Sequence, residues 1–405
     1  HGGQTLYKMH YLLHYLPRDV GFRFVGVITF VMFIGLMTGI IIHRQIFKDF
    51  FTFRPGKGKR SWLDAHNIFS VSSLPFQLMI TYSGLLFVIT LWMPLVGLGA
   101  FGFDLNKYAN LIEELSGHSH LETSGVQNSG LALDKIVDQA GRHMGHENIR
   151  FIRIEFPSDQ NAQVTVLKHN MSISQFHESM KFQGATGELI EHINKAPLAS
   201  MSVYNVFIGL HEGLFANVPV RWLYFLSGIA GMIMIATGGI YWHVNRIKNS
   251  NHSHQSGGMK LVNQLNIGTF VGLPIAIAAY FLANRLLPYS LNTRADWEIH
   301  IMFLTWLFAL LYPLIRPSRS AWVELAMLAS IACIAIPIVS AITTHRNLVS
   351  SVLNHDWVYV GFETTCIFFG VFFAIVSWVV ATQIKKNMVP DKEGAIRQKQ
   401  VNSSI

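Results

Sequence analysis

Apolar residues gather into seven long runs along this chain, 22–43, 67–93, 222–243, 265–287, 297–315, 322–342 and 357–384, with short polar gaps between most of them. Each run is about 20 residues or longer, which is what a helix rising about 1.5 Å per residue needs to cross a hydrocarbon layer of about 30 Å. The pattern predicts seven membrane-spanning helices, and so an all-α polytopic membrane protein built as a helical bundle. Between 94 and 200 the pattern changes. LALDKIVDQAGRHM has helical spacing, with Leu131, Leu133, Ile136, Val137 and Ala140 on one side. IRFIRIEF and AQVTVLK alternate as strands do, and QGATGELI reads as a turn leading into another strand. A small α+β insert is predicted there, because a disordered loop would not alternate.

These changes divide the chain. Residues 1–93 form the first half of a transmembrane bundle, 94–200 the insert and 201–248 the rest of that bundle. A polar linker at 249–260, within NRIKNSNHSHQSGGMK, precedes a four-helix transmembrane region at 261–386 and a tail at 387–405. His252 and His254 in the linker could also bind a metal adventitiously.

Charge sets the orientation. Arg44, Lys48, Arg54, Lys57, Lys59 and Arg60 follow the first run, and the other loops on that side carry Arg246, Lys248 and Lys260, then Arg316 and Arg319, then Lys385, Lys386 and Lys392. The opposite short loops hold Arg285 with Arg294, and Arg346. Lys and Arg favour the cytoplasmic side, so the basic loops and the C-terminus are predicted there and the insert on the far side. The first run then enters from outside. The opening HGGQTLYK lacks an initiator Met and a signal-peptide pattern, so a preceding span, an eighth, or a cleaved signal is expected upstream.

Composition agrees with a membrane class. Of 405 residues 51% are hydrophobic and 13% charged, at a mean hydropathy of +0.34, where soluble domains devote about a quarter to charge. The net charge of +8 lies in the gaps between apolar runs, which fits membrane topology and argues against nucleic acid. Cys333 and Cys366 are the two cysteines and both sit in apolar runs, so neither a disulfide framework nor a cysteine-held metal cluster is expected. No Walker loop, GxGxxG after a strand, HExxH or CxxC occurs.

The 19 histidines change the picture. His43, His66 and His243 mark the predicted cytoplasmic ends of three runs, while His10, His14 and His211 lie on the other side. An ionisable group at a membrane edge is expensive, and imidazole is too short to gain much by reaching for water. Each alone is explained by a bond to a headgroup or carbonyl. Six in two layers match what two b-type haems need: flat apolar discs between helices, each iron taking axial nitrogens from facing helices. His10 and His14, four apart, share one helical face, so they cannot clasp one iron from opposite sides; one would ligate while the other meets a propionate or substrate. Gly26, Gly35, Gly39, Gly84, Gly228, Gly231, Gly238 and Gly239 give room for a macrocycle, or equally for close helix contacts. His300, with Glu298, has an interfacial contact with Arg285 or Asp296 as its plain reading, and a ligand or proton site as its alternative.

HYLLHYLPRDVG, GIIIHRQIFKDFFTFRPGKGKRSWLDAHN, LPFQLMITYSGLLF and HEGLFANVPVRWLYFLSGIAGMIMIATGGIYW resemble the PepSY-associated transmembrane family, a bacterial inner-membrane group that includes ferric-siderophore reductases, over roughly 6–248. The insert is similar to a PepSY domain. The resemblance implies an earlier helix with its own histidine, a periplasmic PepSY region and, in the reductase members, two haem b groups. It places the outer haem on His211 and His14, with His10 near, and the inner one on His43 and His66. His243, in GGIYWHVNR, departs from the Trp-and-basic ending common in the family. The last four runs lie outside it.

The implied activity is a transmembrane haem oxidoreductase that passes electrons outward to a periplasmic ferric-siderophore or similar ferric chelate for iron acquisition. Its donor would be a quinol, a flavoprotein or a nicotinamide system, and its other partner membrane lipid. FRPGKGKR could hold propionates or the donor, or could serve topology alone. The competing expectation is a non-enzymatic assembly or transport factor whose insert binds a partner.

Overall fold

A computed structural model describes residues 2–43, 45–88, 123–128, 130–169, 172–174, 178–194, 199–249 and 256–388. Arg44, 89–122, His252, His254, Lys392 and most of the predicted tail lie outside the described residues. The chain divides into two compact units, Leu6–Phe53 with Asp64–Met234, and His1–Thr5 with Arg54–Leu63 and Ile235–Ile405.

The elements up to the insert are α1 (Gly2–Tyr11), α2 (Arg18–Ile42), α3 (Ile46–Asp49) and α4 (Lys59–Phe87). Pro17, extended at ψ 142°, sets the start of α2, where a missing N–H costs nothing. Six described helices are long and apolar enough to cross a membrane, against the seven runs predicted. The run at 67–93 does form a helix, α4, within its described residues, but α4 is not among the six. It buries Ser73, Gln77, Thr81 and Ser83, so its polar side chains serve contacts inside the protein; the Gln77 amide donates to the Ser227 carbonyl at 3.1 Å.

The insert is a meander, β1 (Ile149–Glu155), β2 (Gln163–Lys168), β3 (Ser179–Gln183) and β4 (Leu189–Ile193), antiparallel throughout in the order β1-β2-β3-β4. Helix α5 (Leu133–Met144) packs on it, burying Ile136, Ala140 and Met144 among Val164, Val166, Met180 and Phe182. The predicted helix and the strands at 149, 163 and 189 appear. β3, which the alternation reading passed over, supplies Met180 and Phe182 to this core. Gly187 turns the chain between β3 and β4 at φ +68°, a left-handed conformation that glycine adopts freely.

α6 (Ala199–Glu212) and α7 (Val218–Asn249) follow, with the boundary between the two units inside α7. In the second unit Ser256 caps α8 (Gly257–Ile267) by accepting from the Met259 N–H. A π-helical turn at Gly268–Gly272 joins α8 to α9 (Leu273–Leu286) as one span, Gly257–Leu286, longer than the predicted 265–287. Part of the predicted linker is thus helix. A Cβ on Gly272 would meet the Ala309 Cβ at 2.7 Å, so the π turn sits tightly on its neighbour. α10 (Arg294–Ile315), α11 (Ser318–Thr343), the short α12 (Leu348–Leu353) and α13 (Trp357–Met388) complete the bundle. Its core is Ile267, Val271, Ile275, Ala309, Ala321, Leu325, Ala326, Ala329 and Phe373. The chain is a helical membrane protein of several spans with a small α+β insert.

Candidate functional site

His211 stands in the last turn of α6. That helix ends because Gly213 takes φ +64° with the Tyr224 ring 3.3 Å from where a Cβ would lie. Tyr224 fixes the reversal by donating its hydroxyl to the Leu210 carbonyl at 2.7 Å. The His211 ring then meets α4, with Nδ1 2.9 Å from the Ser83 Oγ. Ser83 also reaches the Met79 carbonyl at 2.7 Å. A hydroxyl has one proton, and a carbonyl can only accept it, so Ser83 gives its proton to Met79 and accepts from His211 Nδ1–H. The lone pair of His211 is thereby left on Nε2. Gly84 makes the approach possible, since a Cβ there would lie 3.1 Å from His211 Cε1. Phe87 packs edge-on against the same imidazole, with centroids 5.1 Å apart.

His10 faces this ring from α1, with centroids 6.1 Å apart and planes inclined by 39°. Burial, and then the neighbouring His10, hold the His211 pKa below the ordinary imidazole value, so the ring is neutral at physiological pH. His14 instead packs edge-on against Tyr15, with centroids at 4.8 Å, and is exposed. His10 is therefore the member of the HYLLH pair brought to His211.

His66 repeats the arrangement. From α4 its Nδ1 lies 2.8 Å from the Met234 carbonyl. A carbonyl cannot donate, so Nδ1 carries the proton and Nε2 the lone pair. His43 is the exposed C-cap of α2. His243 lies on the part of α7 that belongs to the second unit, and its Nδ1 is buried without a hydrogen-bond partner among the described residues. In that unit the Glu298 carboxyl accepts from the Asn284 amide at 3.0 Å and lies 3.6 Å from Arg294, while His300 packs edge-on against Trp297.

The donor chemistry of the first of these settings, a neutral imidazole with Nδ1 committed beside a second imidazole, is of the kind that binds haem iron. His10 and His211 would be the residues to hold such a group, their ring centres lying 6.1 Å apart. Metal-binding histidines also commit their other nitrogen to a carbonyl or side chain, as His211 and His66 do. Nothing in the sequence pattern pointed to Ser83, Phe87 or the Met234 carbonyl, because these partners come from distant segments.

Residues 2–244 match the family of the PepSY-associated TM region, and the chain belongs to that family. No curated protein matches it.

Proposed function

We propose that this protein is an inner-membrane di-haem oxidoreductase that passes electrons across the membrane to a periplasmic ferric-siderophore or similar ferric chelate. The observation that carries the reading is the orientation of two imidazoles. His211 and His66 each commit Nδ1, which leaves the lone pair on Nε2, and His10 lies beside His211 with ring centres 6.1 Å apart. Haem b, when bound, supplies one-electron exchange at iron. His10 and His211 would hold the outer group, and His66, with His43, the inner one. Ser83 keeps His211 in the tautomer that can bind metal, and burial keeps it neutral. Phe87 and Gly84 shape the apolar wall against which a macrocycle would lie. The basic loops face the cytoplasm and the insert the periplasm, the side on which the chelate is met. A quinol, a flavoprotein or a nicotinamide system supplies the electrons from within.

A reduced-minus-oxidised spectrum of protein purified from haem-replete cells tests this. The expected result is a Soret and α band with about two haems per chain; a colourless preparation overturns it and leaves the partner-binding or transport factor. His211→Ala should lose one haem and keep the other. Ser83→Ala should weaken retention of that same haem by about tenfold or more, as loss of an outer-shell partner does.

A further inference from the structure

The apolar run 357–384 holds one acidic residue, Glu363. It lies about 9 Å along α13 from Trp357, at about 1.5 Å per residue. The residue is 0% exposed, and neither carboxyl oxygen has a hydrogen-bond partner among the described residues. Its neighbours along α13 are Phe362, which packs on Phe281 with centroids 4.9 Å apart, and Cys366, part of a buried cluster with Ala278, Cys333 and Ile336. Leaving an ionised carboxylate unpaired in such surroundings is very costly.

A cation stands close by without pairing to it. The Arg285 guanidinium, from α9, lies 5.5 Å from the Phe362 ring centre. It donates to Ser340 Oγ at 2.5 Å, the Phe281 carbonyl at 2.9 Å and the Tyr359 hydroxyl at 3.2 Å. All three acceptors are neutral. Tyr359 and Glu363 are four residues apart on α13, a spacing that sets their Cβ atoms about 5–6 Å apart on one face. Arg285 is thus held on the face of α13 that carries Glu363, without an ion pair to it.

We propose that Glu363 is a proton-binding site inside the C-terminal bundle, occupied while Arg285 rests on Ser340, Phe281 and Tyr359 and emptied when Arg285 moves onto the carboxylate. In that step the carboxyl O–H bond breaks, the proton passes to water, and an ion pair replaces three bonds to neutral acceptors; no electron moves. The helices packed on α13 offer few competing groups. α9 brings Arg285 and Tyr280, whose hydroxyl is bonded to Thr5. α11 brings Cys333, its Glu324 being tied to Arg316 and Tyr312. α12 has no titratable residue, but buries Ser351, whose Oγ has no hydrogen-bond partner among the described residues. α13 itself adds Tyr359 and Cys366. A metal cation fits poorly, because Arg285 already supplies the positive charge.

Infrared difference spectroscopy of the full chain in lipid, wild type against Glu363→Gln, tests the site. At pH 7 the difference should contain the C=O band of a protonated carboxylic acid, replaced by carboxylate bands as pH rises. A carboxylate at pH 7 overturns the proposal. Should Glu363→Gln fail to assemble, wild-type protein treated with dicyclohexylcarbodiimide, which modifies protonated carboxyls in apolar surroundings, decides by mass spectrometry. An adduct on Glu363 that diminishes with rising pH supports the site; unmodified Glu363 beside other modified carboxyls overturns it. Tyr359→Phe frees Arg285 to reach the carboxylate, so it should weaken proton binding about tenfold, the worth of one hydrogen bond to a charged group; an unchanged midpoint overturns the role given to Arg285.

Discussion

Helices α2 and α11 are equally apolar, yet the most apolar stretch of α2 is 6% buried within the protein and that of α11 44%. The difference lies in small side chains. α11 buries Ala321, Ala326, Ala329, Ser330, Cys333 and Ser340, which let neighbouring backbones come close. On α2 a Cβ added to Gly35 or Gly39 would meet nothing within 4 Å. In a membrane the lipid is as apolar as leucine, so hydrophobicity selects the solvent while shape selects the neighbour. α11 belongs to a packed bundle, and α2 leaves most of its surface for lipid or a bound apolar group.

Overpacking the α11 contact should give the largest effect. A Cβ at Gly370 of α13 would lie 2.4 Å from Ile334 Cγ1 and 3.3 Å from the Ser330 carbonyl. Gly370→Val should therefore cost about 1–3 kcal/mol, read as a lower unfolding midpoint of the full chain in detergent. A midpoint at the wild-type value would remove the claim that shape complementarity holds α11.

The insert, stabilised partly by charge, offers a contrast of intermediate size. Asp159 accepts from the Asn161 and Gly125 N–H groups and from the N–H and hydroxyl of Ser124, and these bonds, the Asn161 one foremost, lower its pKa. Glu178 is lowered mainly by Lys168 and then by His192. For both carboxyls the folded value lies below the unfolded one, so their stabilisation is complete above the unfolded value of about 4 and is lost as pH falls through the folded value. Hydrogen exchange in β2 and β3 of the whole protein should show protection that falls under acid, and Asp159→Asn should flatten that response. Helices α11 and α13 should change far less over the same range.

The smallest effect is expected at α2. Gly35→Leu should alter stability by less than about 0.5 kcal/mol, as substitutions that meet no neighbour do. A large loss in the same detergent assay would mean that α2 is packed after all.

The same division between pattern and shape decided what could be read in advance. The seven runs led to six spans and to α4, whose composition alone does not say that Gln77 and Ser83 point inward. α5 and three strands followed from their periods, while β3 is only five residues long and its two core side chains, Met180 and Phe182, make a weak alternation. His211 stood out as an imidazole near a membrane edge, but Ser83 is 128 residues away from it. Glu363 was visible as the lone acid of its run; that Arg285 turns away from it toward Ser340 and Tyr359 was not.

The sequence by itself determined that this protein lives in a membrane, that an α+β insert interrupts its spans, and that imidazoles collect near their ends, because hydropathy and periodicity are sums over neighbouring residues. Tertiary structure alone decided which histidine meets His211, which nitrogen each ring commits, and that Glu363 has no hydrogen-bond partner among the described residues. Those depend on single bonds of about 3 Å between distant segments, and such bonds leave no period in the chain.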